Sequence, residues 1–179
     1  MLAYPGDVTH ADELTVAVNT FATARDGLDV MINNAGVSCA GSLMETSLDN
    51  WQWIVGINMM GVVHGCRAAI PHLQRNGSGL LINVASAAAF ASAPGMIAYN
   101  ATKAAVLSIS ESLCNELSAS RTQVSVVMPT FFRSSILDSF RGSDEARARA
   151  EEVIANSGLT SADIAREIIE GASNSEIYI

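Results

Sequence analysis

Two periodicities alternate along this chain. Leu14, Ala17, Val18 and Phe21 recur at helical spacing, and Thr9-His-Ala-Asp12 reads as a capping box opening a helix that runs to about Arg25. Before it, residues 2–5 read as the end of a short strand and Gly6-Asp7-Val8 as a turn. Leu28–Ile32 is a short apolar run closed by Asn33-Asn34-Ala35-Gly36, with the length and bounding signals of a buried strand. Thr46-x-x-Asp49 caps a long helix reaching about Arg75, whose buried faces draw on Trp51, Ile54, Val62, Cys66, Ala69 and Leu73. Gly56 and Gly61 lie inside it. Each costs up to about 1 kcal/mol relative to alanine, which predicts close packing or a local irregularity.

Asn76-Gly-Ser-Gly79 stops that helix, and Leu80–Ala85 is a second buried strand. A helix follows over 97 to about 119. Gln123–Met128 is a third strand, stopped by Pro129. Residues 130–158 are polar and irregular around a charged helical segment at 143–155. Thr160-x-x-Asp163 caps a helix to about Glu170, and Glu176–Ile179 reads as a last strand.

Strands and helices alternate throughout, and the strands are continuous apolar runs rather than in/out alternations. That pattern implies a parallel sheet covered on both faces, a doubly wound α/β fold. Such sheets bind ligands outside the carboxyl ends of their strands. Asn33–Gly36, Ser86 and Pro129–Ser134 each fall just after a predicted strand, so they are expected on one rim.

Composition narrows the class. The 179 residues predict one domain, and 49% hydrophobic against 16% charged residues describes a globular chain rather than a disordered one. A net charge of -8 without a Lys/Arg cluster argues against a nucleic-acid partner. Cys39, Cys66 and Cys114 have no C-x-x-C spacing and read as reduced thiols of a cytoplasmic protein. His10, His64 and His72 add no metal-ligand spacing, so no metal is expected. Polar interruptions of the apolar stretches argue against a membrane span, and the N-terminus lacks a signal-peptide pattern.

The chemistry concentrates at Tyr99-Asn-Ala-Thr-Lys103. On a helix, the phenol and ammonium are i, i+4 neighbours on one face. A cation beside a phenol favours the phenolate, which predicts a Tyr99 pKa lowered from about 10 toward neutrality, where it could work as acid or base. Ser86 ends a strand thirteen residues upstream. Asn58 lies inside an apolar helix, where an unsatisfied amide is costly.

Taken in order, these residues resemble the classical short-chain dehydrogenase/reductase family, over almost the whole chain from Asp7 to Ile179. The resemblance implies a Rossmann-like domain over 1–179 and NAD(P)-dependent hydride transfer between a secondary alcohol and its carbonyl. It implies Asn58, Ser86, Tyr99 and Lys103 as the catalytic tetrad. Asp7-Val8 would meet the adenine, and Asn34, Ala35 and Gly36 would lie along the cofactor. Tyr99 and Lys103 would reach the nicotinamide ribose, and Pro129, Thr130 and Ser134 the nicotinamide. Asn58 would hold a water linking Lys103 to solvent. Helices 47–75 and 97–119 would form the surface of a homodimer or homotetramer.

Two departures from the family pattern stand out. Thr130 occupies a common glycine position. The family's opening strand and T-G-x-x-x-G-x-G turn have no counterpart, so the chain reads as starting one βαβ unit late and as short at its C-terminus, with strand edges left exposed. NAD and NADP are then indistinguishable, and a non-catalytic remnant that survives by packing with partners is the alternative reading.

Overall fold

The computed structural model describes residues 3–179. Three parallel strands, β1 (Val30–Asn33), β2 (Leu80–Val84) and β3 (Gln123–Val127), form a sheet in the order β1-β2-β3. Register pairs Asn33 with Asn83 and Val84 with Val127. The intervening helices are α1 (Ala11–Arg25), α2 (Leu48–Val55), α3 (Gly61–Arg75), the short α4 (Ala88–Ala91) and α5 (Ile97–Glu116). After β3 come α6 (Asp144–Asn156) and α7 (Ser161–Ser173).

Helices cover both faces of the sheet. On one, Leu81, Val124 and Val126 pack with Val62, Cys66, Ala69 and Leu73 of α3, Val106 of α5, and Val18 and Ala22 of α1. On the other, Ile82 and Val127 meet Ala172 and Ile168 of α7 and the C-terminal Ile179. The doubly wound α/β reading from the sequence therefore holds. Val30 and Ile32 of β1 remain 46% and 48% exposed, and β1 has no second strand neighbour among the described residues.

Several local expectations are corrected. Ala3–Pro5 form no strand, and Leu2 lies outside the described residues. The Thr9–Asp12 capping box does not form. Asp7 Oδ1 instead accepts from Thr9 N at 2.9 Å and Thr9 Oγ1 at 2.8 Å, because a carboxylate two residues back closes a tighter turn. Ser47, not Thr46, caps α2, since the Thr46 hydroxyl donates to Ser42 O. Glu176–Ile179 runs beside β3 through a single bridge, Val126 to Tyr178. The Thr160–Asp163 capping box forms in both directions, and α7 extends to Ser173.

Gly56 and Gly61 bracket the irregularity their positions predicted: Gly56–Met60 is a π-helical turn joining α2 to α3. The combined helix Leu48–Arg75 is long and apolar enough to cross a membrane, contrary to the sequence reading. Part of its apolar surface is taken up by packing, with Ile54, Ala69 and Leu73 wholly buried, while Leu48 at its start is exposed.

A buried polar network crosses the sheet beneath the rim. Asn33 Nδ2 donates to Asn83 Oδ1 at 2.8 Å, and Asn83 Nδ2 donates to Ser110 Oγ on α5 at 3.0 Å. The Cys66 thiol joins at 3.4 Å from Asn33 Nδ2, and burial pushes its pKa up to about 11. Asn33 Oδ1 lies so close to Gly65 that any Cβ there would collide with it. The network satisfies amides that would otherwise be stranded in the core and holds β1, β2, α3 and α5 in register.

Candidate active site

The carboxyl ends of the three strands converge. Ala85 N donates to Val127 O at 2.8 Å and Ala87 N to Pro129 O at 3.0 Å, so the segments after β2 and β3 share one rim. The Ser86 hydroxyl accepts from Ala88 N at 3.2 Å, which fixes it at the start of α4. Gly36, after β1, completes the rim.

Helix α5 brings Tyr99 and Lys103 under this rim. Tyr99 is 8% exposed and packs with Val37, Cys39, Ile54 and Ala98. Burial raises its phenol above the ordinary range, and hydrogen bonding from Ser86 opposes that only in part. The expected lowering by Lys103 is therefore corrected. The ammonium stands 5.7 Å from the centroid of the Tyr99 ring, and its hydrogen bond goes to Val84 O at 2.9 Å rather than to the phenol. A cation over the ring does less for the phenolate than one at its oxygen, and desolvation prevails. Lys103 itself is 4% exposed, and burial pulls its pKa down to about 8.

Asn58 is wholly buried in the π-helical turn. Its Oδ1 accepts from Val37 N at 2.8 Å, while Nδ2 donates to Val37 O at 2.9 Å and to Thr102 Oγ1 at 3.3 Å. The amide thus clamps the segment after β1 to α5. A Cβ built on Gly36 would lie 3.5 Å from Asn58 Oδ1 and 3.5 Å from Lys103 Nζ. Both polar atoms therefore border one small space that the glycine leaves open.

Sequence reasoning missed Thr102 and the Val84 carbonyl. Thr102 was within reach, as a hydroxyl three residues from Tyr99 and therefore on the same helix face. A backbone carbonyl leaves no sequence signal. The remaining candidates are more dispersed. Asn34 and Ala35 are exposed on the rim, and so are Thr130 and Ser134 beyond Pro129. Asp7 and Val8 lie on the far side of the π-helical turn, with Val8 against Gly61. The chemistry of the rim fits a dinucleotide: exposed backbone and hydroxyls, one buried ammonium, and a phenol beside a serine.

Comparison with known proteins agrees with this architecture. The family model described as short chain dehydrogenase matches residues 1–145. A 3-alpha-(or 20-beta)-hydroxysteroid dehydrogenase from Mycobacterium bovis is 35% identical over 132 residues, covering 74% of this chain and 51% of that protein. The chain thus spans about half the length of this curated relative. A short chain dehydrogenase/reductase from Burkholderia phymatum, solved in complex with NAD, superposes with a TM-score of 0.92 at 28% identity, over 97% of this chain and 68% of the other. The 3-ketoacyl-(acyl-carrier-protein) reductase from Brucella melitensis, complexed with NADH, gives 0.84 at 26% identity over 99% and 74%.

Proposed function

The chain belongs to the short chain dehydrogenase family, and from that premise we propose that it is the catalytic portion of an NAD- or NADP-dependent oxidoreductase acting on secondary alcohols and their carbonyls. The observation that carries this reading is the assembly of Tyr99, Ser86, Lys103 and Asn58 at one rim of the sheet. When bound, the dinucleotide supplies or accepts the hydride. In reduction, Tyr99 donates a proton to the carbonyl oxygen, and Ser86 hydrogen-bonds that oxygen as charge develops on it. A phenol held above its ordinary range stays protonated at neutral pH, so the site is poised as an acid. Lys103 holds the ribose hydroxyls, with Asn34–Gly36, Pro129, Thr130 and Ser134 along the rest of the cofactor. Trp51, Trp53, Met96 and Ile136 pack against the buried apolar cluster that includes Tyr99, and this apolar setting supports an apolar substrate. The name of the mycobacterial relative makes hydroxysteroids the first class to assay. Nicotinamide absorbance with such alcohols and ketones tests the reading directly; no turnover with any dinucleotide would reject it.

The space over Gly36 suits a water bridging Asn58 Oδ1 and Lys103 Nζ, which gives Tyr99 a route for proton resupply. Gly36 does not have the positive φ that would strain another residue. Gly36→Ala is therefore expected to fold with equal or slightly higher stability, yet to lower turnover by about tenfold or more by filling the water position. Steady-state rates beside a melting curve check this. An alanine variant with full turnover would remove the relay.

We also propose association into a homodimer or homotetramer through helices 47–75 and 97–119. Support comes from Leu48 (79% exposed) at the start of the first helix, from Met44 (91% exposed) in the turn before it, and from Ile97 at the start of the second helix. Light scattering is expected to give about two or four chain masses; a monomer at working concentration would contradict it.

A further inference from the structure

The turn at Asp7–Thr9 is held from two sides. From α1, Glu13 Oε2 accepts from Asp7 N at 2.8 Å. From α3, His64 Nδ1 lies 3.0 Å from Val8 O. A carbonyl can only accept, so Nδ1 carries the hydrogen. The long helix is shaped to receive the turn. A Cβ on Gly61 would stand 2.9 Å from Val8 Cγ2, and one on Gly56 would stand 3.6 Å from Thr9 Cγ2. Gly56 and Gly61 flank the π-helical turn that carries Asn58, so one stretch of helix seats this turn on one side and clamps the Val37 segment and Thr102 on the other. Asp7 uses Oδ1 on Thr9, while Oδ2 has no partner among the described residues and the carboxylate is exposed.

We propose that His64 is a positioning residue for dinucleotide binding: its Nδ1–H pins the Val8 carbonyl to α3 and so fixes where the Asp7–Val8 backbone and the free Asp7 oxygen meet the adenine. The inference rests on the reading of Asp7–Val8 as the adenine contact. Without His64, the turn is hydrogen-bonded only to its own helix α1 and can swing off the glycine ridge. The nicotinamide end, built by α5 and the rim, is untouched.

The test compares NADH and NADPH with reduced nicotinamide mononucleotide, which lacks the adenine, by calorimetric titration of the full chain. It adds amide hydrogen exchange at Thr9 and His10. His64→Ala is expected to weaken both dinucleotides about three- to tenfold, the worth of one net hydrogen bond. Mononucleotide affinity is expected to stay the same, while exchange at the two amides accelerates. His64→Asn, whose side-chain amide nitrogen can take the place of Nδ1, is expected to restore both readouts. Unchanged dinucleotide affinity or unchanged exchange in His64→Ala overturns the tether. Equal weakening of dinucleotide and mononucleotide also overturns it, in favour of a general structural role. A wild-type chain that binds NADH no more tightly than the mononucleotide overturns the adenine reading instead, and the exchange data then judge the tether by itself.

Discussion

Tyr99→Phe is expected to lower turnover about a thousandfold while leaving dinucleotide affinity and the melting temperature close to those of the wild type. The substitution removes one hydroxyl and keeps the ring, and it is the ring that packs with Val37, Cys39, Ile54 and Ala98. The hydroxyl meets Ser86 and has no other hydrogen-bond partner among the described residues, so its loss leaves no buried partner stranded. What is lost is the proposed proton donor, and general acid catalysis of this kind contributes about two to four orders of magnitude. Turnover, dinucleotide titration and thermal melting check the three parts separately. Normal turnover in the phenylalanine variant would sink the assignment of Tyr99. The raised phenol pKa gives the wild type a directional signature. Carbonyl reduction needs the phenol and should hold its rate across neutral pH. Alcohol oxidation needs the phenolate and should climb as pH rises toward the phenol's own range.

The sheet and its crossovers were legible because each strand is a short apolar run bounded by turn residues, and because Tyr99 and Lys103 sit one helical turn apart. Gly56 and Gly61 also announced an irregularity, since two glycines inside an apolar helix need a reason. Two kinds of information were not legible. Capping at Thr9 and Thr46 depended on competition: Asp7 and the Ser42 carbonyl captured hydroxyls that the sequence spacing had assigned to helix ends. The electrostatics of the Tyr99–Lys103 pair depended on distance and burial. Spacing put the two on one face, but the i, i+4 arrangement places the ammonium over the ring and against Val84 O, not at the phenol oxygen. Asn83 is an intermediate case. A lone amide in an apolar strand signals a buried partner, yet nothing in the sequence says that the partners are Asn33 and Ser110.

Lys103→Met is expected to stabilise the folded chain at neutral pH by about 2 kcal/mol, raising the melting temperature by roughly 5 °C, while abolishing catalysis. Lys103 is 4% exposed and forms none of the ion pairs found among the described residues; its hydrogen bond is to Val84 O. Burial takes its pKa from 10.5 down to about 8. Below pH 8, folded and unfolded chains both carry the proton, and the folded state bears the full cost of desolvating the cation. Between pH 8 and 10.5 the unfolded chain keeps a proton that the folded chain has released, so stability rises with pH through that window. The shift corresponds to about 3 kcal/mol, and the Val84 hydrogen bond lost in the variant returns about 1 kcal/mol of it. Methionine fills the same volume without the charge, so its advantage should be greatest at neutral pH and shrink toward pH 10. Denaturant unfolding of both proteins at several pH values measures this. A variant less stable than the wild type at neutral pH, or an advantage that does not shrink, would show that the buried ammonium carries no desolvation cost. If the expected pattern is found, selection has kept at this position a cation that opposes folding, and only chemistry at the rim gives a reason to keep it.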